Sequence, residues 1–291
     1  MGRGSLPAFY FFSMKTLYCG RFRLPLDRPL LMGIVNLTPD SFSGDGLIGS
    51  VEQAINHARQ QFEAGSDILD IGAESSRPGA IPTSEGDELQ RLLPVLREIA
   101  DWGVPISVDT YKPAVMRAAL SAGATMINDI TGMINPEALS VVAESDCAVC
   151  VMHMQGEPGT MQQAPAYRDV VVEVRSFLNG AAERCRKAGI DDRRIVIDPG
   201  LGFGKTLDHN LALFSALTVA GVDELPILVG FSRKSMLGAI TGRPVEQRMA
   251  ASVAAALLAA QKGAKILRVH DVAATKDALA VWAALEQRGR E

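Results

Sequence analysis

The chain of 291 residues has little of what marks several common protein classes. Aromatic residues make up only 5% of it, too few for the stacking surfaces that bind single-stranded nucleic acids. The net charge is −4 without a long basic run, which argues against a nucleic acid or an anionic membrane as the main partner. The longest apolar run, "MAASVAAALLAAQKGA", is too short to span a bilayer and predicts a packed helix.

Cysteine is also scarce, with Cys19, Cys147, Cys150 and Cys185 as the only examples. Cys147 and Cys150 form one CxxC pair, a spacing known from redox sites and from half of a zinc site. They lie in an apolar run that predicts a strand, where side chains three apart point to opposite faces. We therefore expect buried structural thiols, in keeping with a reducing cytoplasm.

The chain lacks a recognisable targeting segment. Its beginning, "MGRGSLPAFYFFS", has one Arg and a short apolar patch without a small-residue cleavage site. The myristoylation pattern fails because Leu6 stands where Ser or Thr is required. We expect residues 1–14 to be a disordered extension, with Met14 as an alternative start, and residues 15–291 to form a single domain.

A Gly-rich stretch, "IDPGLGFGKT", resembles a phosphate-binding P-loop but lacks its spacing. A P-loop needs four residues between its first Gly and the closing Gly-Lys, whereas three separate Gly200 from Gly204. We interpret the stretch as the loop after a strand, whose glycines let the backbone pass close to a flat ligand. Lys205 and Thr206 are expected only to begin the next helix.

Eight short apolar runs alternate with helical patterns that close on Gly. Such runs are typical of strands buried on both faces, and the alternation predicts parallel pairing with right-handed crossovers. The predicted strands are Met32–Asn36, Ile68–Gly72, Pro105–Asp109, Thr125–Asp129, Ala148–Met152, Arg194–Asp198, Ile227–Phe231 and Ile266–His270. Eight units without a linker favour an α/β protein with a single (β/α)8 TIM barrel over a doubly wound open sheet. The segment "TLYCGRFRLPLDRPL" predicts a short N-terminal β-hairpin at the bottom of the barrel.

Polar residues gather at the C-terminal ends of the predicted strands, which in a barrel open on the active-site face. A single Asp at such a place is often only a helix cap, but so many at one rim indicate a binding site. The rim residues are Asn36, Asp109, Asn128, Asp198, Ser232, Lys234, Arg268 and His270.

The cationic residues of this rim indicate an anionic ligand. Arg268 and His270 alternate on one strand, face the same side and suit a phosphate as a cation pair, while the alternative is a salt-bridged Arg beside a core His. Lys234 either donates to a ring acceptor or serves as a Schiff-base lysine. Ser232 and Ser235, at a helix start, suit a carboxylate.

The acidic rim residues indicate a second part of the ligand. Asp109, Asn128 and Asp198 suit a flat heterocycle with amino and ring N–H donors, because a carboxylate matches a guanidine-like edge. Two long polar loops, at residues 36–46 and 73–88, are typical of lids or binding loops.

Eight motifs, spread in order from about Leu31 to Ala280, resemble the dihydropteroate synthase family of pterin-binding enzymes. They are "MGIVNLTPDSFS", "ESSRPG", "SVDT", "MINDI", "MQGEPGTMQQAPAY", "IDPGLGFGKT", "GFSRKSMLG" and "RVHDVAAT". The resemblance implies a transferase that condenses 6-hydroxymethyl-7,8-dihydropterin diphosphate with p-aminobenzoate, giving 7,8-dihydropteroate and pyrophosphate in folate synthesis. It also implies Mg2+, inhibition by sulfonamides, a cytoplasmic location and a homodimer formed through late helices near Ala250–Ala260.

The resemblance assigns roles to the rim residues and to residues of the two loops. The expected pterin ligands are Asp109, Asn128, Asp198 and Lys234. The expected diphosphate ligands are Asn36, Arg268 and His270, with Asn36 also on Mg2+. The expected p-aminobenzoate residues, besides Lys234, are Phe42, Ser76, Arg77, Pro78, Phe203 and Ser232. The expected catalytic residues are Arg268, His270, Lys234 and Asp109.

The chain departs from the family pattern at four places without losing a charged residue of the expected site. Ser76 stands where Thr is usual, Leu201 where Phe is expected, and Gln155 where Arg is common, while "SGDG" replaces "SDGG" in the first loop. The expected chemistry is an SN1-like loss of pyrophosphate followed by attack of the neutral arylamine, because the electron-rich ring can delocalise a cation. A neutral arylamine requires no strong base, which agrees with the absence of an evident Cys-His or Ser-His-Asp set.

Three alternatives stay open at this stage. A pterin-binding methyltransferase would share the barrel but would not need the two p-aminobenzoate loops or the Arg-x-His of the last strand. A Schiff-base aldolase would use Lys234. A non-catalytic phosphate-binding module would not need two long loops.

Overall fold

A computed structural model describes residues 16–37, 46–75, 79–218 and 220–288, and the side chains of residues 46–50 lie outside that description. Strands and helices alternate along the chain. In order, the elements are β1 (Thr16–Cys19), β2 (Phe22–Pro25), β3 (Leu30–Asn36), α1 (Gly46–Glu63), β4 (Ile68–Gly72), α2 (Glu85–Ile99), β5 (Ile106–Asp109), α3 (Pro113–Ser121), β6 (Met126–Asp129), α4 (Pro136–Ala143), β7 (Ala148–Met152), α5 (Val170–Lys187), β8 (Ile195–Asp198), α6 (Leu207–Ser215), β9 (Leu228–Val229), α7 (Ser235–Thr241), α8 (Met249–Gln261), β10 (Ile266–Val269) and α9 (Val272–Arg288).

The strands β3 to β10 form one parallel sheet that closes on itself. Their spatial order is β8-β7-β6-β5-β4-β3-β10-β9, and the two ends meet through a parallel bridge between Ile197 and Ile227. The amide of Ile197 donates to the carbonyl oxygen of Pro226 at 3.0 Å across this seam. The TIM barrel is therefore confirmed, and the open sheet is excluded because its end strands would remain unpaired.

The N-terminal hairpin, β1 paired with antiparallel β2, closes the bottom of the barrel. Leu17 and Cys19 are buried in one cluster with Met126 and Ala148, which are the first residues of β6 and β7. The amide of Gly20 donates to the carbonyl oxygen of Asp146 at 3.2 Å. The predicted position of the hairpin is confirmed.

Side chains alternate along each barrel strand between the outer helix layer and the inside of the barrel. On β10, Ile266 belongs to the inner apolar cluster and Leu267 to the cluster that packs under the helices. On β4, Ile68 and Leu69 divide in the same way. The next inward positions, Arg268 and Asp70, are charged, so the inside of the barrel is apolar near the bottom and polar towards the rim.

The connection from β9 to β10 has two helices, in agreement with the predicted helix start near Ser235 and the separately predicted apolar helix. It contains α7 and α8, which are separated by Gly242 in the left-handed region (φ 68°), Pro244 and a short 3-10 turn at Val245–Gln247. Gly ends the first helix without steric cost, and Pro cannot continue it.

The cysteine prediction is confirmed, because Cys19, Cys147, Cys150 and Cys185 are all free and buried. No helix in the described part of the chain is long and apolar enough to cross a membrane. The segment 1–14, expected to be a disordered extension, lies outside the described residues, and the single domain of residues 15–291 stays a prediction.

Candidate active site

The site is built from inward-facing residues at the upper ends of the strands. Asp109 on β5 and Asn128 on β6 are register partners, so the pleat directs both side chains into the barrel. Asp198 ends β8 and Arg268 lies on β10. The predicted pterin residues therefore converge at one end of the barrel because parallel strands end on one face.

Arg268 is held inside the barrel by two carboxylates. Its Nε donates to Oδ2 of Asp70 at 2.6 Å and its Nη2 to Oδ2 of Asp109 at 2.9 Å. Burial raises the pKa of Asp109 to about 7, although the Arg268 guanidinium opposes this shift. The same two carboxylates keep Arg268 charged despite its burial.

Lys234 lies after the neighbouring strand β9, at the N-cap of α7. Its ammonium donates to the carbonyl oxygen of Leu201 and lies 4.5 Å from the centre of the Phe203 ring. Burial lowers the pKa of Lys234 to about 8, and the charge of Asp198 limits the fall. Asp198 accepts a hydrogen bond from the amide of Gly200 at 2.7 Å, so its orientation is fixed before any ligand binds.

His270 follows β10 and binds Ser232 twice. The Ser232 hydroxyl lies 3.1 Å from the His270 amide and 2.9 Å from its Nδ1. Burial, together with the cations Arg268 and Arg233, lowers the pKa of His270 to about 3. The low pKa favours a neutral His270 in the protein without ligand, so Arg268 is the charged member of the predicted pair in this state. Binding of both residues to a diphosphate stays a prediction. The alternative of a salt-bridged Arg describes Arg268 correctly in this state.

Asn36 ends β3 at the same rim. A Cβ placed on Gly72 would lie 3.4 Å from Cβ of Asp109 and 3.9 Å from Oδ1 of Asn36, so the Asn36 amide and Asp109 flank Gly72 from both neighbouring strands. Within the described residues, no group of three or more His, Cys, Asp or Glu has the arrangement of a metal site. Four predicted p-aminobenzoate residues lie outside the described residues, namely Phe42, Ser76, Arg77 and Pro78.

The loop after β4 is tied at its base to the residues that follow β5. Nζ of Lys112 donates to Glu74, to the carbonyl oxygen of Thr83 at 2.7 Å and to Oε2 of Glu88 at 2.7 Å. Glu74 also accepts from the amide of Thr83 at 3.1 Å and from the Tyr111 hydroxyl at 3.2 Å. The two ends of the loop are therefore held together beside Asp109.

The glycines of the loop after β8 have a structural reason that differs from the predicted one. Gly200, Gly202 and Gly204 all have a positive φ, from 60° to 85°, where side chains are strained. A Cβ on Gly200 would lie 1.8 Å from the carbonyl oxygen of His153, and one on Gly204 would lie 2.4 Å from that of Gln155. Gly200 and Gly204 thus allow this loop to pack against the loop after β7, and Gly202 leaves room for the side chain of Lys234, which a Cβ would approach to 3.0 Å.

Lys205 does more than begin a helix, so that expectation is wrong. It is 3% exposed, and its Nζ donates to the loop's own carbonyl oxygens at Gly200 and Phe203. Burial lowers its pKa to about 7. Thr206 is the N-cap of α6, as predicted, and its hydroxyl accepts from the His209 amide. The buried lysine is not available to a phosphate, in agreement with the rejection of a P-loop.

Comparison with known proteins decides the family. Residues 32–270 match the family described as pterin binding enzyme. The dihydropteroate synthase of Neisseria meningitidis serogroup C is 49% identical over 271 residues, which cover 91% of this chain and 96% of that protein. The chain belongs to the dihydropteroate synthase family. The resemblance found in the motifs is confirmed.

Solved structures of the family have the same fold. The dihydropteroate synthase of Burkholderia cenocepacia, complexed with 7,8-dihydropteroate, superimposes with a TM-score of 0.88 at 49% identity and covers 96% of this chain and 99% of its own. That of Xanthomonas albilineans, with 4-aminobenzoic acid, gives a TM-score of 0.89 at 50% identity, covering 94% and 99%. Membership of this family favours the synthase over the aldolase and over the phosphate-binding module.

Sequence reasoning about this member of the family missed Asp70, Ser107 and Lys205. Asp70 and Ser107 are register partners on β4 and β5, and neither is exposed to solvent. The only signal in the sequence was a charged residue in the middle of an apolar run, which requires a partner once it is buried. That partner, Arg268, is distant in sequence, and only barrel closure brings the two together.

Proposed function

We propose that the chain is a dihydropteroate synthase, which condenses 6-hydroxymethyl-7,8-dihydropterin diphosphate with p-aminobenzoate and releases pyrophosphate. The observation that carries the proposal is the convergence of two carboxylates, an amide and two cations at the upper end of the barrel. These groups are Asp109, Asn128, Asp198, Lys234 and Arg268. Family membership and the ligands of the two solved relatives support the same reaction.

The pterin ring binds inside the barrel between acidic and basic groups. Asp198 and Asp109 accept from the amino and ring N–H donors, and Asn128 adds a donor and an acceptor. Lys234 donates to a ring acceptor and gives up its bond to the Leu201 carbonyl oxygen. Because Asp109, Asn128 and Asp198 lie on strands, the pterin site is rigid.

The diphosphate binds at the rim beside Arg268, His270 and Asn36. Arg268 supplies the positive charge, and neutral His270 supplies a ring nitrogen whose orientation Ser232 fixes. Mg2+ requires few protein ligands when it also binds phosphate oxygens and water, so the single amide oxygen of Asn36 beside Asp109 fits it. Bound there, the ion would neutralise charge on the diphosphate.

p-Aminobenzoate binds on the outer side of the pterin, next to the loops. Phe203 offers an aromatic face, and Lys234 lies 4.5 Å from its centre. Ser232, in the segment after β9, is also assigned to this site. Phe42, Ser76, Arg77 and Pro78 complete it. These roles rest on the family resemblance and on the position of Phe203 beside Lys234.

The reaction proceeds by loss of pyrophosphate before attack. The bond from the methylene carbon to the diphosphate oxygen breaks, and its electron pair leaves with pyrophosphate. Asp109 and Asp198 stabilise the pterin cation, while Arg268 and His270 stabilise the leaving group. The neutral arylamine nitrogen then forms the new bond to carbon and releases a proton. Loops that exclude water prevent the cation from being trapped as an alcohol.

We further propose that this protein is a homodimer and acts in the cytoplasm. Large apolar side chains are exposed on the late helices, with Met249 and Leu258 on α8 and Val281 and Leu285 on α9. Exposed apolar groups on packed neighbouring helices are typical of an interface between copies. Free buried thiols agree with a reducing compartment.

A pyrophosphate-release assay tests the function. Release must require both the pterin diphosphate and p-aminobenzoate, and a sulfonamide must inhibit it in competition with p-aminobenzoate. Release with the pterin substrate alone would instead indicate a hydrolase. Borohydride trapping of Lys234 with a carbonyl substrate would indicate the aldolase.

A further inference from the structure

The carbonyl groups of the loop after β8 are bound one after another. Five successive carbonyl oxygens, from Gly200 to Gly204, each accept a hydrogen bond from a side chain. The donors are Lys205 to Gly200 and Phe203, Lys234 to Leu201, Gln162 to Gly202, and Tyr167 to Gly204. Loop carbonyls usually face water, so this pattern indicates that the loop is held in one conformation.

Lys205 is the centre of this arrangement. Its Nζ lies 2.9 Å from the carbonyl oxygen of Gly200, 3.0 Å from that of Phe203 and 2.9 Å from Nδ1 of His153. His153 directly follows β7, and its ring packs edge-on against Phe177 with centres 4.9 Å apart. One amino group therefore joins the loops after two neighbouring strands and anchors both to the helix layer.

Burial of a lysine at position 205 costs free energy of folding. Among the described residues, no carboxylate forms an ion pair with Lys205, although the residue is 3% exposed. A buried ammonium loses its hydration, and the charge of Asp198, which forms no ion pair with Lys205, offsets only part of this loss. Only a protonated amino group, however, offers three donors from one atom, and Lys205 Nζ has three carbonyl acceptors on the two loops, those of His153, Gly200 and Phe203. We therefore look for a role of Lys205 other than stabilising the fold.

That role follows from what the loop carries. Leu201 accepts the hydrogen bond of Lys234, and Phe203 lies under the same ammonium. Both contacts depend on a stretch of backbone that Lys205 holds from below at Gly200 and Phe203. By contrast, Asp109 and Asn128, which are expected to hold the pterin, lie on strands and do not contact this loop. Asp198 ends a strand and contacts the loop only through the amide of Gly200.

We propose that Lys205 is a positioning residue for p-aminobenzoate, which fixes the loop so that the Phe203 ring is in place when the arylamine binds. The proposal rests on the proposed function. Lys205 itself contacts neither substrate. Its loss should therefore affect the second substrate much more than the first.

Lys205→Met, which keeps the length of the side chain but removes its donors, is the test. In folded protein, assayed well below the melting temperature, the KM for p-aminobenzoate should rise at least tenfold. The Kd of 6-hydroxymethylpterin, measured by calorimetry, should change less than threefold. A purely structural lysine would lower the melting temperature and leave both constants unchanged, so an unchanged KM overturns the proposal. An equal loss for both ligands overturns it too.

Lys265→Met is the matched control. Lys265 also donates from Nζ to a loop carbonyl oxygen, that of Leu26 at 3.0 Å, but at the opposite end of the barrel. Both constants should stay within twofold of the wild type. A rise in the KM for p-aminobenzoate in this control would show that loss of any such lysine contact destabilises the barrel enough to weaken binding. That result would contradict the proposal.

Gln162→Leu carries the test if Lys205→Met does not fold. Gln162 donates to the carbonyl oxygen of Gly202 at 2.6 Å from the half-buried loop after β7. Its loss should raise the KM for p-aminobenzoate at least threefold with the pterin Kd unchanged, and an unchanged KM overturns the proposal. A wild-type protein that releases no pyrophosphate contradicts the proposed function as well, whereas an active wild type with unaffected variants contradicts only the role of Lys205.

Discussion

Arg268 donates from Nε to Oδ2 of Asp70 at 2.6 Å across the inside of the barrel. The two residues are 198 positions apart in sequence and lie on β10 and β4, with β3 between them. Asp70 is fully buried and the Arg268 side chain is 20% exposed, so the contact between them is shielded from most of the solvent. The buried Asp70 carboxylate thereby fixes the orientation of the Arg268 guanidinium, which is expected to bind the diphosphate.

Asp70→Asn should weaken both the fold and the reaction. The change keeps an acceptor for Arg268 but removes the buried opposite charge, so the free energy of unfolding should fall by about 2 kcal/mol. Urea denaturation measures this loss, and pyrophosphate release should slow in parallel. Glu137→Gln is the control, because Glu137 pairs with Arg117 at the surface, where both side chains are at least half exposed. That change should cost less than about 1 kcal/mol.

Asp198→Asn should weaken pterin binding by about 10- to 100-fold, since a hydrogen bond to a charged group contributes about 1.5 to 3 kcal/mol. The Asn side chain still accepts from the Gly200 amide, so the loop should keep its conformation. Calorimetry with 6-hydroxymethylpterin measures the effect. Unchanged affinity would exclude Asp198 from the pterin site.

Lys234 should make pterin affinity and stability depend on pH in opposite directions. Its pKa is lowered to about 8 from an ordinary value of 10.5. Affinity for 6-hydroxymethylpterin should therefore fall about tenfold from pH 7 to pH 9, as the ammonium loses its proton. Between pH 8 and 10.5 the unfolded chain binds a proton that the folded chain lacks, so the contribution of Lys234 to the free energy of unfolding rises with pH.

The matched variant for this experiment is Lys234→Met. Its affinity should be low and should not fall between pH 7 and pH 9, since among the expected pterin ligands only Asp109 then titrates and its ionised form is the better acceptor. The difference in unfolding free energy between wild type and variant isolates the contribution of Lys234. An affinity in the wild type that is equal at pH 7 and pH 9 would remove Lys234 from the pterin site.

Deuterium at the reacting methylene should slow turnover by a secondary isotope effect clearly above unity. The methylene carbon becomes planar when pyrophosphate leaves first, as the stabilisation by Asp109 and Asp198 implies. Single-turnover rates with protiated and deuterated pterin diphosphate measure the effect. A ratio near unity would favour direct displacement by the arylamine. Arg268→Ala should slow pyrophosphate departure in the same assay.

Leu258→Glu should convert the proposed homodimer into a monomer. Leu258 on α8 is 48% exposed, and a charge there would be buried without a partner in an interface through the late helices. Light scattering coupled to gel filtration gives the mass. Val172→Glu, at a similarly exposed apolar position on α5, should leave the mass unchanged. A wild type that is already monomeric contradicts the dimer.

Much of the fold could be predicted because strands and helices follow from the pattern of apolar and polar residues within short stretches of sequence. The eight apolar runs predicted all eight barrel strands, and the polar residues at their ends predicted one common rim. The two helices between β9 and β10 agree with the predicted helix start near Ser235 and the separately predicted apolar helix, and Gly242 and Pro244 mark the break between them. The charge of His270 was missed, since its pKa depends on burial and on Arg233 and Arg268, which no spacing reveals.

The sequence by itself determined the strand and helix periodicity, the residue types of the rim and the family motifs. Each of these depends on neighbours within a few residues, or on order along the chain. Only the tertiary structure decided which charges pair inside the barrel, that His270 is neutral, and that Lys205 joins two loops. Those properties depend on burial and on contacts between distant strands, and both arise only when the sheet closes.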